Sequence, residues 1–330
     1  MKIGVMVAAG VFVMAIASVV AGGEVAAKAG RADRNPGHLK VALIAMKSLY
    51  SDTPDVATNR KNIQINLDRH MYFIDRAAAE GAEFIGFPEA SISGYHYSPN
   101  MTWLRLDGPE IKAIQRKAAE KDVYVGVGIA EEDAAGKRWE TQVVIGPDGK
   151  IVGTQHKIWL TKEKGFIGIG TEHNVFEVKG VKMGIIICAD GTDFANIKAL
   201  ADRGAKIIYA PHANTTGGTI AGWYRFRARW AGQWDGNFVK SKTSNEGPEA
   251  DMPSGGWMSQ LKLYAALVNC AGLYNPDYNP PVAQDSNNGF ASGAWIIGPD
   301  GSTLAQIPTS TNKADSKEYI LIYNIPIGKN

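Results

Sequence analysis

Two segments far apart in the chain use the same device: TQVVIGPDGKIVGTQHK, centred on Pro147, Asp148 and Gly149, and AWIIGPDGSTLAQIP, centred on Pro299, Asp300 and Gly301. In each, an apolar extended run meets a turn and a second extended run leaves it. Proline presets φ, aspartate bonds back to the turn and glycine accepts a positive φ, so both read as β-hairpins. A repeated hairpin predicts two similar halves, each contributing a sheet.

The intervening pattern supplies the helices. KVALIAM reads as a buried strand, and Ile63, Leu67, Met71, Ile74 and Ala78 then recur at helical spacing until Gly81 stops the helix. AEFIGFPE is a strand, PEIKAIQRKAAEKD a second helix and VYVGVGIAEE a strand again. Strands and helices in this order form sheets covered by helices. Further on come a strand ending at Cys188, a helix near ANIKALADRG, the strand AKIIYAP and the aromatic-rich GWYRFRARWAGQWDGNF. Trp223, Tyr224, Phe226, Trp230 and Trp234 in that last segment read as helix packing, with an apolar pocket wall as the alternative. No Pro-rich or Ser-rich linker follows residue 40, so residues 40–330 are expected to form a single domain.

The N-terminus differs from the rest. Lys2, a long apolar run and the small residues Ala21, Gly22 and Gly23 predict a signal peptide over residues 1–21, and hence export to the periplasm or the medium. An uncleaved membrane anchor is the alternative. Residues 22–39 read as a loose segment. With 330 residues, 45% of them hydrophobic and 21% charged, and a net charge of +2, the chain can bury a large core and has no basic patch suited to nucleic acid. Six histidines lack metal-ligand spacing, and Gly126, Gly128, Gly168 and Gly170 complete no dinucleotide or phosphate loop, so neither a metal nor a cofactor is expected.

The informative residues stand at strand ends, where catalytic groups of α/β folds gather. Glu89 ends FIGFPE behind the rigid Pro88, Lys157 ends IVGTQHK, and Cys188 ends MGIIIC. Singly each has an ordinary reading: a solvated carboxylate, a surface lysine and a core cysteine. The other cysteine, Cys270 in YAALVNCAG, reads as a small buried residue, with a Cys188–Cys270 disulfide as the alternative.

Taken together, FPEASISGY, HKIWLTKE and IICADG resemble the three signature segments of the nitrilase superfamily, the carbon–nitrogen hydrolases, and the similarity runs from Lys40 to the closing hairpin. The resemblance implies a four-layer αββα sandwich and a homodimer. It also implies a small amide-type substrate cleaved by Cys188 as nucleophile, with Glu89 as general base and Lys157 as oxyanion stabiliser. Glu163 matches a second glutamate of the family, expected to orient Lys157, and the backbone N–H of Ala189 is a second oxyanion donor. Nitrilases proper carry Trp-Glu after the cysteine where this chain has Ala189 and Asp190. Ureido-acid hydrolases place an arginine shortly beyond, where Gly191, Thr192 and Asp193 stand. A carboxamide is therefore the expected substrate, ahead of a nitrile or an N-carbamoyl acid. A secreted binding protein of the same fold is the reading from a different class.

Overall fold

The computed structural model describes residues 37–49, 54–95, 100–160, 163–214, 256–273, 289–307, 309 and 317–328. The segment expected to be a leader, residues 1–21, and the aromatic cluster at 223–234 lie outside them. One sheet contains β1 (His38–Ala45), β2 (Phe84–Gly86), β3 (Tyr124–Glu132), β4 (Arg138–Ile145), β5 (Ile151–His156) and β14 (Tyr319–Pro326), in the order β14-β1-β2-β3-β4-β5. The other contains β6 (Val175–Val178), β7 (Val181–Ile185), β8 (Ile207–His212), β9 (Tyr264–Asn269), β12 (Ala294–Ile297) and β13 (Thr303–Ile307), in the order β13-β12-β9-β8-β7-β6. Two short strands, β10 (Ala271–Leu273) and β11 (Gly289–Ala291), pair separately. The first strand starts at His38, two residues before the strand expected from Lys40, because it pairs along its whole length with β14.

The two halves correspond strand by strand. β1, β2 and β3 run parallel and then turn antiparallel into the β4–β5 hairpin. β7, β8 and β9 do the same into the β12–β13 hairpin. The two GPDG turns thus close equivalent edges, and Gly149 and Gly301 take φ of 77° and 79°. Helices α1 (Val56–Ala79) and α2 (Pro109–Lys121) cover the first sheet, while α3 (Phe194–Asp202) and α4 (Gly256–Leu261) cover the second. Asp55 caps α1 by accepting from the Ala57 N–H at 3.1 Å.

Alternation along the strands builds three apolar layers. On β1, Leu39, Val41, Leu43 and Ala45 face the other sheet, where they meet Met183, Ile185 and Val268. Ala42 and Ile44 face α1 and α2, among Ile63, Leu67, Phe73, Ile111 and Ile114. Ile197, Leu200 and Trp257 pack onto Ile208, Leu267 and Trp295 on the far side. This is a four-layer αββα sandwich.

One residue spans the middle layer. The Tyr209 ring from β8 crosses to the first sheet, where Gly86 and Gly126 have no side chains to obstruct it. Its hydroxyl donates to the Phe87 carbonyl and accepts from Gln142 Nε2 at 2.8 Å. A Cβ on Gly126 would stand 2.6 Å from Tyr209 Cε1. Gly126→Ala is therefore expected to lower stability by about 1–3 kcal/mol, the usual cost of overpacking a tight core. A urea midpoint equal to that of the parent protein would refute this packing.

Candidate active site

The peptide that carries Glu89 is held from several sides. Tyr209 fixes Phe87 from the second sheet. Ala90 follows at φ 48°, with its backbone passing so close to Gly128 that a Cβ there would meet Ala90 N at 2.3 Å. Beneath the loop, Asn66 and His70 from α1 form a buried polar network. Asn66 Nδ2 donates to the Ile92 carbonyl at 2.9 Å, and His70 Nδ1 donates to the Asn66 carbonyl at 2.7 Å. The Ser91 hydroxyl lies 3.0 Å from His70 Nε2. With Nδ1 committed as a donor, Nε2 accepts from Ser91 only in the neutral imidazole. Cys270 adds a further tie, its thiol donating to the Glu89 carbonyl at 3.6 Å.

His70 makes a pH prediction. Burial pushes its pKa down from 6.5 to about 4, against the opposing pull of the Asn66 carbonyl. A depressed histidine stabilises the fold above its unfolded pKa, and that contribution is lost as pH falls from about 6.5 towards 4. The loss amounts to about 3 kcal/mol, at about 1.36 kcal/mol for each pH unit. His70→Gln is expected to flatten the fall in urea midpoint between pH 7 and 4.5, and equal slopes in the two proteins would disprove this role.

Lys157 leaves β5 with its own backbone secured. Its N–H donates to the Glu140 carbonyl at 2.9 Å, and its carbonyl accepts from Gly170 at 2.8 Å. Beyond it, Asp190 Oδ1 accepts from the Ile158 and Trp159 N–H groups at 3.1 and 2.6 Å, which ties the lysine segment to the turn that follows Cys188. Burial pushes the Asp190 pKa up to about 7 in spite of these two donors.

The Lys157 ammonium is fully buried inside a cage of carboxylates. It donates to Glu89 Oε1, to Glu163 Oε1 at 2.6 Å and to Glu140 Oε2 at 3.2 Å, and lies 5.3 Å from the centre of the Tyr95 ring. The Tyr95 hydroxyl donates to Glu163 Oε1 as well. Burial acts to lower the lysine's pKa, but the fields of Glu140 and Glu89 outweigh it and hold the ammonium charged well above its usual range. Glu163 is also buried, yet the adjacent ammonium and the Tyr95 hydroxyl bring its pKa down from 4.5 to about 2. Glu140 goes the other way: burial, then the Glu89 charge, raise it well above the carboxylate range. Oxygens of Glu89, Glu140 and Glu163 lie within 4.8 Å of one another, a set of hard donors whose compensating charge is Lys157 itself.

Cys188 comes from the second sheet. It opens a short 3-10 turn, Cys188–Thr192, at φ 44°, a left-handed conformation costly for a residue with a Cβ. Cys188 is buried, and its thiol receives the Ala213 N–H. Burial, then the Glu89 charge, raise its pKa well above that of a free thiol, opposed by Lys157. It therefore rests as a thiol within electrostatic reach of Glu89, Lys157 and Glu163. Ala189, buried, supplies the next peptide N–H. Both cysteines are free, so Cys188 and Cys270 are not bridged.

The structure thus gathers the four side chains anticipated from the sequence, with Ala189 adjacent. Glu140 and Tyr95 were missed. Glu140 stands in RWETQVVI, where a lone carboxylate in an apolar strand was the available signal; Tyr95 lies in SGYHY, next to the glutamate segment. His156 and His212 end β5 and β8, with His156 stacked on Trp139 at 4.2 Å.

Two mixed sheets flanked by helices make this a nitrilase-like αββα sandwich. The chain belongs to the carbon-nitrogen hydrolase family, whose profile matches residues 40–328. Among solved structures, an amidase of the nitrilase superfamily from Nesterenkonia AN1 superposes with a TM-score of 0.64 at 16% identity, over 88% of this chain and 92% of that one. Nit3 of Saccharomyces cerevisiae gives 0.61 at 20% identity, over 88% and 90%. At these identities the likeness is one of fold. Among curated relatives, a cyanide hydratase of Armillaria gallica is 30% identical over 165 residues, 44% of this chain and 43% of that protein. Omega-amidase NIT2 of Homo sapiens is 31% identical over 162 residues, 45% and 58%. The chain spans about half the length of these curated relatives.

Proposed function

We propose that the protein hydrolyses a carboxamide through a thioester on Cys188. The observation that carries this reading is the Lys157 ammonium, held among Glu89, Glu163 and Glu140 within electrostatic reach of the Cys188 thiol. A thiol with a raised pKa is a poor nucleophile unless a base removes its proton as the bond forms. Glu89 takes that proton while sulfur bonds to the carbonyl carbon, and the carbonyl oxygen becomes an oxyanion facing Lys157 and the Ala189 N–H. The adduct collapses as the carbon–nitrogen bond breaks, and Glu89 passes its proton to the leaving nitrogen. Water then gives a proton to Glu89 and attacks the thioester, and the thiolate leaves and recovers that proton. Glu163 has no proton to give at neutral pH, and its part is to hold Lys157 in place.

The choice of an amide over a nitrile rests on the residues after the cysteine. Asp190 is turned onto the Ile158 and Trp159 amides. A nitrile must first form a thioimidate and then expel nitrogen from a second adduct, whereas an amide reaches its tetrahedral adduct in one attack. Amides, nitriles and ureido acids sharing one acyl group should be compared by ammonia release, with Cys188→Ala as control. The amide is expected to exceed the matching nitrile in kcat/KM by about tenfold or more, a difference of about 1.4 kcal/mol in barrier. A ratio favouring the nitrile or the ureido acid would overturn the assignment.

A further inference from the structure

Glu140 has no part in the reaction as proposed, yet its carboxyl is 1% exposed and lies inside the cage. Among the described residues, the charged or titratable neighbours that bear on it are Glu89 beyond β2, Tyr95 on the following loop, Lys157 at the end of β5, Glu163 beyond that, and Cys270 from the second sheet. One ammonium cannot balance three carboxylates in a space from which water is excluded, so the cage retains a proton. Lys157 and Tyr95 both donate to Glu163, which keeps that carboxylate ionised. The retained proton is left to Glu89 and Glu140, whose carboxyl oxygens lie within 4.8 Å of each other. Glu89 Oε2 and Glu140 Oε1 are both buried with no hydrogen-bond partner among the described residues.

We infer that Glu140 is a positioning residue that holds this proton and donates it to Glu89, keeping the base ionised and aimed while it waits for the Cys188 thiol. The assignment rests on Glu89 acting as the base of the proposed reaction. A neutral carboxyl donor favours the Glu89 anion, whereas an ionised Glu140 would oppose it. The two possibilities therefore move the acidic limb of the pH profile in opposite directions.

The test compares Glu140→Gln, which keeps a donor of the same shape, with Glu140→Ala, which removes it. Iodoacetamide alkylation of Cys188 and amide turnover would both be followed from pH 5 to 10. In Glu140→Ala the acidic limb is expected to move up by about one pH unit, with kcat down about 100-fold and KM changed far less. Glu140→Gln should restore the limb to its original pH and recover most of the lost kcat, leaving a deficit of about threefold to tenfold. A limb that moves down in both variants would mean that Glu140 is an anion, and one unmoved in both would mean that it is structural filler. Either result overturns the inference. Alkylation needs no substrate, so this test stands even if no amide in the panel is hydrolysed, which would count against the amide reading alone. Should Glu140→Ala fail to fold, the position of the Glu140→Gln limb still decides between neutral donor and anion.

Discussion

Cys188→Ala is expected to reduce kcat by about 10⁴-fold or more while leaving the fold intact. The magnitude follows from losing the only atom that forms the covalent intermediate, since members of a nucleophile-and-base unit removed singly cost nearly as much as the whole unit. Alanine fills most of the same space, and in the left-handed conformation at φ 44° it replaces one Cβ residue with another. The stability change should be about 1 kcal/mol, near the average for a single substitution. Glu89→Gln should be comparably damaging alone and should add almost nothing in the Cys188→Ala background, because a base without its nucleophile has no proton to take. Glu163→Gln should be milder, since it leaves nucleophile and base in place. Rates would be read from ammonia release and folding from circular dichroism. Turnover close to the parent rate in Cys188→Ala would refute the assignment of the nucleophile, and multiplicative losses in the double variant would refute the idea of one unit.

Much of this arrangement was legible in the chain. Strand ends could be read because apolar runs stop abruptly at FPE, QHK and IIC, and a charged or nucleophilic residue at such a stop has few places to go except the edge of a sheet. The paired GPDG hairpins carry turn chemistry that acts locally, so the correspondence of the two halves was also accessible. Glu140 was not, because along β4 it occupies an ordinary alternating position, and only the pairing of β4 with β5 places it beside Lys157. The hairpin register is set locally by its turn, but the cage that Glu140 enters is completed by Glu89 and Glu163 from other segments of the chain, which the pattern along β4 does not encode.

The polar network under Glu89 shows the same limit. The helical spacing of Ile63, Leu67, Met71, Ile74 and Ala78 identified α1, yet Asn66 and His70 on that helix are completely buried. They are there because the loop from Glu89 to Gly94 has backbone groups that no strand satisfies, and buried carbonyls need donors. A pattern of apolar residues cannot announce that requirement. Likewise, Gly86 and Gly126 looked like ordinary strand glycines, and their reason is a Tyr209 ring arriving from the other sheet.

Lys157→Met should be the most destabilising single change in the site. Methionine matches the length of the lysine stem, so the variant loses the ammonium with little change in packing and leaves Glu89, Glu140 and Glu163 buried without a counter-ion. Breaking a buried ion pair by removing one partner costs about 3–5 kcal/mol. The pH dependence identifies the cause. In the parent protein Glu163 has its pKa lowered to about 2, so it contributes stability above about 4.5 that is lost only as pH falls towards 2. Without Lys157 the buried carboxyls take protons more readily than in the unfolded chain. A raised pKa stabilises the fold at low pH and ceases to do so as pH rises through it. The deficit relative to the parent should therefore shrink by about 0.7 kcal/mol between pH 8 and pH 5, the part realised by pH 5 for one carboxyl whose pKa is raised by about one pH unit. Turnover should fall by at least about 10²-fold to 10³-fold, the cost of losing one oxyanion donor. Urea midpoints of both proteins across this range provide the measurement, and a deficit that stays constant or grows on acidification would show that Lys157 is not the charge that holds this cage together.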